Sequence, residues 1–151
     1  MSREPRRADS WVRWRPSPYA RATPRIPDSL RDLIEGAHTA AIVTIGPDGR
    51  PQTSAVWFLF RDDVLHVSIT TDRQKYRNLV ARPAVGFFVL DPENPWRYLE
   101  IRGDATIEAD PEQRMVVAVV EKHGVDPTPY LRPEDERVIV TIDPTTVVTR
   151  G

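Results

Sequence analysis

Apolar and polar residues alternate along much of the chain after residue 37, which is the pattern of half-buried β-strands. The first three such stretches are 38–45, 51–60 and 64–70. Pro-Asp-Gly at 47–49 separates the first two, and because Pro fixes φ while Gly accepts a positive φ, a tight turn fits there. The pattern therefore predicts three antiparallel strands that follow one another along the chain.

Three further strands are predicted in the second half of the chain. The run AVGFFVL at 84–90 is continuously apolar, as in a strand buried on both faces. Residues 96–108 alternate, with Trp96 and Tyr98 on the face opposite the apolar one. The stretch 136–150 predicts a last strand, broken or bent at Asp143-Pro144.

Helical spacing interrupts this pattern at three places. Residues 30–36 predict a short first helix, and residues 72–81 predict a second one that ends before Pro83. A third helix is expected from the N-cap Asp110 to Gly124. Six strands and three helices predict a mainly β fold, a closed antiparallel barrel with peripheral helices.

The first 27 residues differ from the rest of the chain. They hold seven Arg against two acidic residues, a net charge of +5, with five Pro and no apolar periodicity. This composition predicts a basic, partly disordered arm at 1–27 before a folded domain at 28–151. Arg alternates with Trp11 and Trp14 in the arm, a pattern found in nucleic-acid binding. Because the remainder is acidic and carries no nucleic-acid module, we expect no nucleic-acid partner, and binding through the arm is the alternative.

Composition also excludes several classes of protein. The chain has no Cys and only three scattered His, so it predicts no disulfide, no thiolate site and no metal. No apolar run approaches the roughly 20 residues of a membrane span, and no apolar segment follows Arg6-Arg7 as in a secretory signal. We therefore expect a cytoplasmic protein with no membrane partner. Ser54 has no evident His partner, so hydrolase chemistry finds no support.

Three cations, Arg73, Lys75 and Arg77, fall in the first two turns of the second predicted helix. A helix N-terminus carries partial positive charge and attracts anions, so cations placed there lack a counter-charge. A phosphate between Lys75 and the two arginines would supply it, with Thr70 as a further donor. The alternative is a solvated helix face that binds nothing.

Two other features suggest a flat ligand. Thr53 and Ser54 are small polar residues beside Trp57 on one predicted strand, which leaves room for a ring against the backbone; the alternative is an ordinary half-exposed strand. Trp96 and Tyr98 share a strand face that could stack on a planar group. The alternatives there are cross-strand aromatic packing and a dimer contact.

Taken in order, these segments resemble the pyridoxamine 5'-phosphate oxidase-like, FMN-binding split-barrel flavoproteins. Within them the chain is most similar to the actinobacterial branch of F-420 (deazaflavin)-dependent oxidoreductases. The resemblance is carried by R-x-K-x-R-N-L at 73–79, by DGRPQ-x-S-x-V-W at 48–57 and by W-R-Y-x-E-I-R-G at 96–103. It implies a six-stranded split barrel that forms a homodimer with the cofactor at the interface.

The resemblance also implies roles for residues. The implied cofactor-binding residues are Thr53, Ser54, Ala55, Val56, Trp57, Ser68, Thr70, Arg73, Lys75, Arg77, Asn78, Trp96 and Tyr98. Trp96 and Tyr98 would come from the partner chain. A basic C-terminal motif that serves the second phosphate in pyridoxamine phosphate oxidases is missing, so we do not expect that reaction.

The function expected from the resemblance is hydride transfer from reduced F-420 to an unsaturated small-molecule acceptor. The alternatives are an FMN-dependent oxidoreductase on the same fold and a non-catalytic F-420- or flavin-binding protein. Bulk water, His66 and Tyr98 are the candidate proton donors. The basic arm could close over the anionic tail of F-420.

Overall fold

The computed structural model describes residues 24–151. Its helical elements are a 3-10 turn Asp28–Leu30, α1 Arg31–Glu35, α2 Gln74–Ala81, α3 Arg114–Lys122 and a 3-10 turn Thr128–Tyr130. Its strands are β1 Ala40–Ile45, β2 Pro51–Val56, β3 Leu59–Arg61, β4 Val64–Thr70, β5 Ala84–Leu90, β6 Tyr98–Ala109 and β7 Arg137–Arg150. None of the helices in this part of the chain is long and apolar enough to cross a membrane.

The strands form one antiparallel sheet in the order β2-β1-β5-β6-β7-β4-β3. The mainly β fold is as predicted, but there are seven strands because the predicted strand 51–60 is divided at Trp57-Phe58. Its two halves, β2 and β3, lie at opposite edges of the sheet, so two residues of chain close the barrel. Phe58 is fully buried at this crossing and packs edge-on against Phe87, with ring centroids 5.0 Å apart. Because the chain passes from one edge to the other here, these two residues leave the strand ladders.

The core fills the inside of the barrel with alternate residues of its strands. On β5 the buried positions are Val85, Phe87 and Val89, whereas Gly86 and Phe88 are only half-buried. Within one chain this strand is therefore buried on one face only, and its second face, predicted to be buried as well, lies on the outside of the barrel. The core also includes Ile26, two residues before the predicted start of the domain. Most of the predicted arm, residues 1–23, lies outside the described residues.

The sheet contains a bulge where β6 meets β7. Gly103 pairs with Pro144 but Arg102 pairs with Thr146, so Thr145 is an extra residue. The Thr145 hydroxyl donates to the Arg102 carbonyl at 3.1 Å. The predicted break at Pro144 is thus a bulge within one continuous strand.

Helix starts also differ from the predicted ones. The first helix begins as a 3-10 turn at Asp28 and continues as α1. α3 begins at Arg114 rather than directly after Asp110, because Gln113 adopts a left-handed conformation with φ 54°. The Asp110 carboxylate nevertheless accepts hydrogen bonds from the backbone N–H groups of Arg114, at 3.1 Å, and Met115, at 2.8 Å. Asp110 therefore caps the helix as predicted, although it lies four residues before the first helical residue, Arg114.

Candidate functional site

A cavity of about 390 Å³ lies beside β4, where α3 packs against that strand. Its volume is within the range of small-molecule sites. The lining residues are Thr39, Ala55, Val56, Trp57, Ser68, Ile69, Arg73, Lys75, Val116, Val119, Val120, Tyr130 and Arg137. Six of these were predicted from the sequence as cofactor-binding residues: Ala55, Val56, Trp57, Ser68, Arg73 and Lys75.

Arg73 and Lys75 enter the cavity from the start of α2. The helix was expected to begin at Asp72, but Thr70 donates its hydroxyl to the Asp72 carboxylate, and this local bond replaces an N-cap. Arg73 is instead the N-cap residue, with extended backbone at φ −78° and ψ 143°. Arg73 therefore lies before the first helical turn, whereas the sequence placed it within that turn. Arg73 and Lys75 face the same cavity, and the Thr70 hydroxyl does not line it.

Lys75 is fixed against the edge strand β2. Its Nζ donates to Ser54 Oγ at 3.0 Å, so Ser54 is reached through the lysine and does not itself line the cavity. Partial burial lowers the pKa of Lys75, and the positive charge of Arg73 lowers it further. Both effects disfavour the ammonium ion, and an anion between the two cations would offset them.

Arg77 and Asn78 do not line the cavity, although both belong to the motif on which the resemblance rests. The Arg77 guanidinium donates to Gln74 Oε1, at 2.8 Å, and to the Asp72 carbonyl, at 2.9 Å. Asn78 is 1% exposed. Its Nδ2 donates to Thr44 Oγ1 at 3.0 Å and to Gln52 Oε1 at 2.8 Å, while its Oδ1 accepts from Gln74 Nε2 at 2.9 Å. The amide therefore ties α2 to β1 and β2.

Arg137, the first residue of β7, is a third cation in the cavity and was not predicted from the sequence. It pairs with Thr70 across the β4–β7 ladder, and Thr71 N donates to the Glu136 carbonyl at 3.0 Å. These bonds bring Arg137 close to the start of α2. Its Nη1 donates to Ser68 Oγ at 3.4 Å.

Trp57 forms an aromatic wall of the cavity. Its ring stacks on His123 with centroids 3.9 Å apart and planes 9° from parallel, and Tyr130 lies 6.4 Å away. The indole N–H donates to Thr39 Oγ1 at 3.2 Å, which fixes the orientation of the ring. Burial lowers the pKa of His123, and the charge of Lys122 lowers it further.

The remaining predicted residues lie elsewhere on this chain. Thr53 is exposed on β2 and does not line the cavity. His66 contacts Thr141 Oγ1 through Nδ1, at 3.1 Å, and burial lowers its pKa, followed by the charge of Arg61. Trp96 is 68% exposed, and Tyr98 packs against Phe88 with centroids 5.3 Å apart. Within one chain, none of these side chains meets the cavity.

The donor set fits a ligand with an anionic group and a flat apolar part. Three cations, Arg73, Lys75 and Arg137, share the cavity, and among the described residues no carboxylate lines it. Trp57, Ala55 and the valines of α3 give the rest of the wall an apolar surface. In the same part of the chain no group of three or more acidic or His side chains is arranged to hold a metal ion.

The residues that the sequence reasoning missed reach the cavity through non-local pairing. Arg137 follows three acidic residues, at 134–136, and was placed in the predicted last strand without a role in the site. The one feature of the sequence that indicated its position in a strand was that it directly precedes the alternating run VIVTI. Placing it beside α2 also required the register between β4 and β7.

A family model described as pyridoxamine 5'-phosphate oxidase matches residues 26–151. The solved structure of an F-420 reductase is 38% identical to the chain, with a TM-score of 0.74 over 82% of this chain and 98% of that one.

Two other solved structures are similar. Rv2991, a conserved hypothetical protein from Mycobacterium tuberculosis, is 26% identical, with a TM-score of 0.70 over 87% of this chain and 88% of that one. HutZ, the heme storage protein from Vibrio cholerae, is 18% identical, with a TM-score of 0.67 over 84% of this chain and 96% of that one. At that identity the likeness to HutZ concerns the fold alone.

Proposed function

Because the chain belongs to the pyridoxamine 5'-phosphate oxidase family, we propose that it is an F-420-dependent oxidoreductase acting on an unsaturated small-molecule acceptor. The predicted resemblance to this family and to its F-420-dependent branch is confirmed by the family match and the F-420 reductase structure. The observation that carries the proposal is the pair Arg73 and Lys75, which face one cavity with no carboxylate among its described lining residues. When bound, reduced F-420 supplies a hydride to the acceptor.

Different residues of the cavity would bind the phosphate and the ring of the cofactor. Arg73 and Lys75 would hold the phosphate, because charge-assisted hydrogen bonds from two cations suit a phosphate oxygen. Ser54 holds Lys75 in place through the 3.0 Å bond. Trp57, Ala55 and Val56 would contact the ring and keep water from one side of it.

The side chains named from the sequence as proton donors, His66 and Tyr98, do not line the cavity of their own chain. His66 lies outside it, bonded to Thr141. A proton for the product would come from bulk water or from Tyr98 of a second chain. The protein then contributes mainly orientation and water exclusion.

The homodimer is part of the proposal. Phe88 and Tyr98 pack together on the outer face of the sheet, and Trp96 is largely exposed at the start of the same strand region. A second chain on this face would cover them and could bring Trp96 and Tyr98 to its neighbour's cofactor. This arrangement supports a site completed by two chains.

The test is to titrate the protein with F-420 and, separately, with FMN, and to measure binding as the quenching of tryptophan fluorescence. We expect F-420 to bind and reduced F-420 to be oxidised when unsaturated acceptors are added. Tighter binding of FMN, with a protein that purifies yellow, would indicate the flavin-dependent alternative. Binding without turnover across an acceptor panel would indicate a non-catalytic binding protein, and no binding of either would contradict the proposal.

Arg73→Gln and Arg77→Gln make a matched pair within this test. Loss of one charge-assisted bond, worth about 1.5–3 kcal/mol, should weaken F-420 binding by about tenfold or more in Arg73→Gln. Arg77→Gln should change it little, because Arg77 is directed at Gln74 and the Asp72 carbonyl. Equal losses in both variants would mean that the motif acts as a diffuse positive field.

A further inference from the structure

We propose that Arg137 is a third cationic ligand of the cofactor and donates through its Nε to an anionic oxygen of the bound molecule. The inference rests on the proposed function and extends it to a residue outside the sequence motif. It starts from a donor that the protein leaves without a partner: the Arg137 Nε is buried and makes no hydrogen bond. A buried N–H of this kind has a cost unless a ligand or water accepts from it.

The rest of the guanidinium is held in position. Nη1 donates to Ser68 Oγ at 3.4 Å, and Nη2 donates to the Tyr130 carbonyl at 3.2 Å and to Asp135 Oδ2 at 3.4 Å. The side chain is only 12% exposed. The two terminal nitrogens thus orient the group, while the Nε–H remains for a further acceptor.

Arg137 also lies where an anion is expected. It faces the same cavity as Arg73 and Lys75, and its ladder partner Thr70 stands three residues before Arg73. A neighbouring acid, Asp135, contacts Nη2 but does not line the cavity. The cavity therefore gathers three cationic side chains from two separate parts of the chain, and Asp135 contacts only one of them, Arg137.

A purely structural role for Arg137 would be to brace the loop before β7 through Tyr130 and Asp135. The two roles predict different ligand dependence. A brace affects every ligand of the cavity alike, whereas an anion ligand affects only molecules that carry the anion. The experiment must therefore compare ligands as well as variants.

The experiment measures dissociation constants of three probes with wild type, Arg137→Gln and Arg137→Lys. The probes are F-420, F-420 without its glutamate tail, and the deazaflavin riboside that lacks the phosphate. Arg114→Gln is the matched control, because Arg114 is an exposed arginine on α3 that pairs with Glu112 and does not line the cavity. Thermal melting of each variant reports folding.

We expect Arg137→Gln to weaken F-420 binding at least tenfold and to leave riboside binding within twofold of wild type. If the tail-free form loses as much, the acceptor is a phosphate oxygen, and if it loses little, the acceptor is a tail carboxylate. If Arg137→Gln does not fold, Arg137→Lys decides, because lysine keeps the charge without the Nε donor and should show the same selectivity with a smaller loss.

Equal losses for F-420 and the riboside, or an unchanged affinity for F-420, would overturn the role of Arg137. Those outcomes leave the proposed function standing, since they require that wild type binds F-420. Failure of wild type to bind F-420 would instead contradict the proposed function itself.

Discussion

Asn78 is a residue whose position in a motif and position in the structure suggest different roles. The resemblance implies contact with the cofactor, yet the side chain is buried and its amide bonds to Thr44, Gln52 and Gln74. These bonds fix the distance of α2 from β1 and β2. Asn78 would then act on the cofactor only by positioning the helix that carries Lys75.

Substitution of Asn78 by Ala should therefore lower stability. Loss of the amide leaves the polar groups of Thr44 and Gln52 without their partner, which costs about 1–3 kcal/mol. Urea unfolding measures this difference, and Val80→Ala on the exposed side of the same helix should stay within about 0.5 kcal/mol of wild type. A stable Asn78→Ala variant that has lost F-420 affinity would show direct contact instead.

Lys122 makes stability depend on pH in the alkaline range. Its Nζ donates to the Phe58 carbonyl at 3.1 Å and lies 4.2 Å from the centre of the Phe58 ring. Burial lowers the pKa of Lys122 from 10.5 to about 8. Between these values the unfolded chain binds more protons than the folded one, so the free energy of unfolding rises with pH in this window.

The Lys122→Met variant should lack this contribution. Urea unfolding at several pH values from about 7 to 11 should show the wild type gaining stability relative to Lys122→Met as pH rises, with no relative change below about pH 8. Arg114→Gln on the same helix should follow the wild-type curve. Parallel curves for wild type and Lys122→Met would mean that Lys122 keeps an ordinary pKa.

At the scale of elements, the bulge between β6 and β7 depends on a glycine. A Cβ added at Gly103 would lie 2.1 Å from the Asp143 carbonyl oxygen, a distance that no side-chain rotation relieves. Gly103→Ala should therefore force the two strands apart and destabilise the protein by about 1–3 kcal/mol or more. Gly86→Ala on β5 is the matched control, because its Cβ would meet only the Val43 side chain, at 3.3 Å. Thermal unfolding that ranks Gly86→Ala as the more damaging change would contradict this account.

The elements were predictable where the pattern was local. Alternation along β1, β4 and β6, and Gly124 after α3, follow from neighbouring residues. The division of 51–60 into β2 and β3 was not predictable, because only the closed sheet requires the chain to cross between edges at Phe58. The start of α2 was misplaced because the Asp72 carboxylate bonds to Thr70 instead of capping the helix.

In the candidate site, too, the residues set by local sequence were predictable and those set by long-range contacts were not. Arg73 and Lys75 were predicted because a cluster of cations at a helix N-terminus is visible in the sequence. Arg137 and the α3 valines were missed because they reach the cavity through β4–β7 pairing and α3 packing, which join residues far apart in the chain. A charge count along the sequence does not contain that information.

At the scale of the whole molecule, we expect a homodimer formed through the outer face of the sheet. Sedimentation should give a mass near twice the 17.2 kDa of one chain. Phe88→Lys places a charge on that face and should yield monomers with weaker F-420 binding, if the site needs both chains. Val125→Lys, at another exposed apolar position, should remain dimeric. A monomeric wild type would contradict the interface.

The barrel is closed by two residues of chain rather than by a ladder of hydrogen bonds, and this has a consequence for its mechanics. The sheet can be divided into one half that ends in β2 and another that ends in β3, with the seam at Trp57-Phe58. Lys75 is bonded to the first half through Ser54, and Arg137 belongs to the second. A molecule bound by both cations would link the two halves of the sheet. Occupancy of the cavity would therefore slow hydrogen exchange of the backbone amides in β2 and β3, on either side of Trp57-Phe58. The cofactor would in that case supply the connection between β2 and β3 that the strand hydrogen bonds do not make.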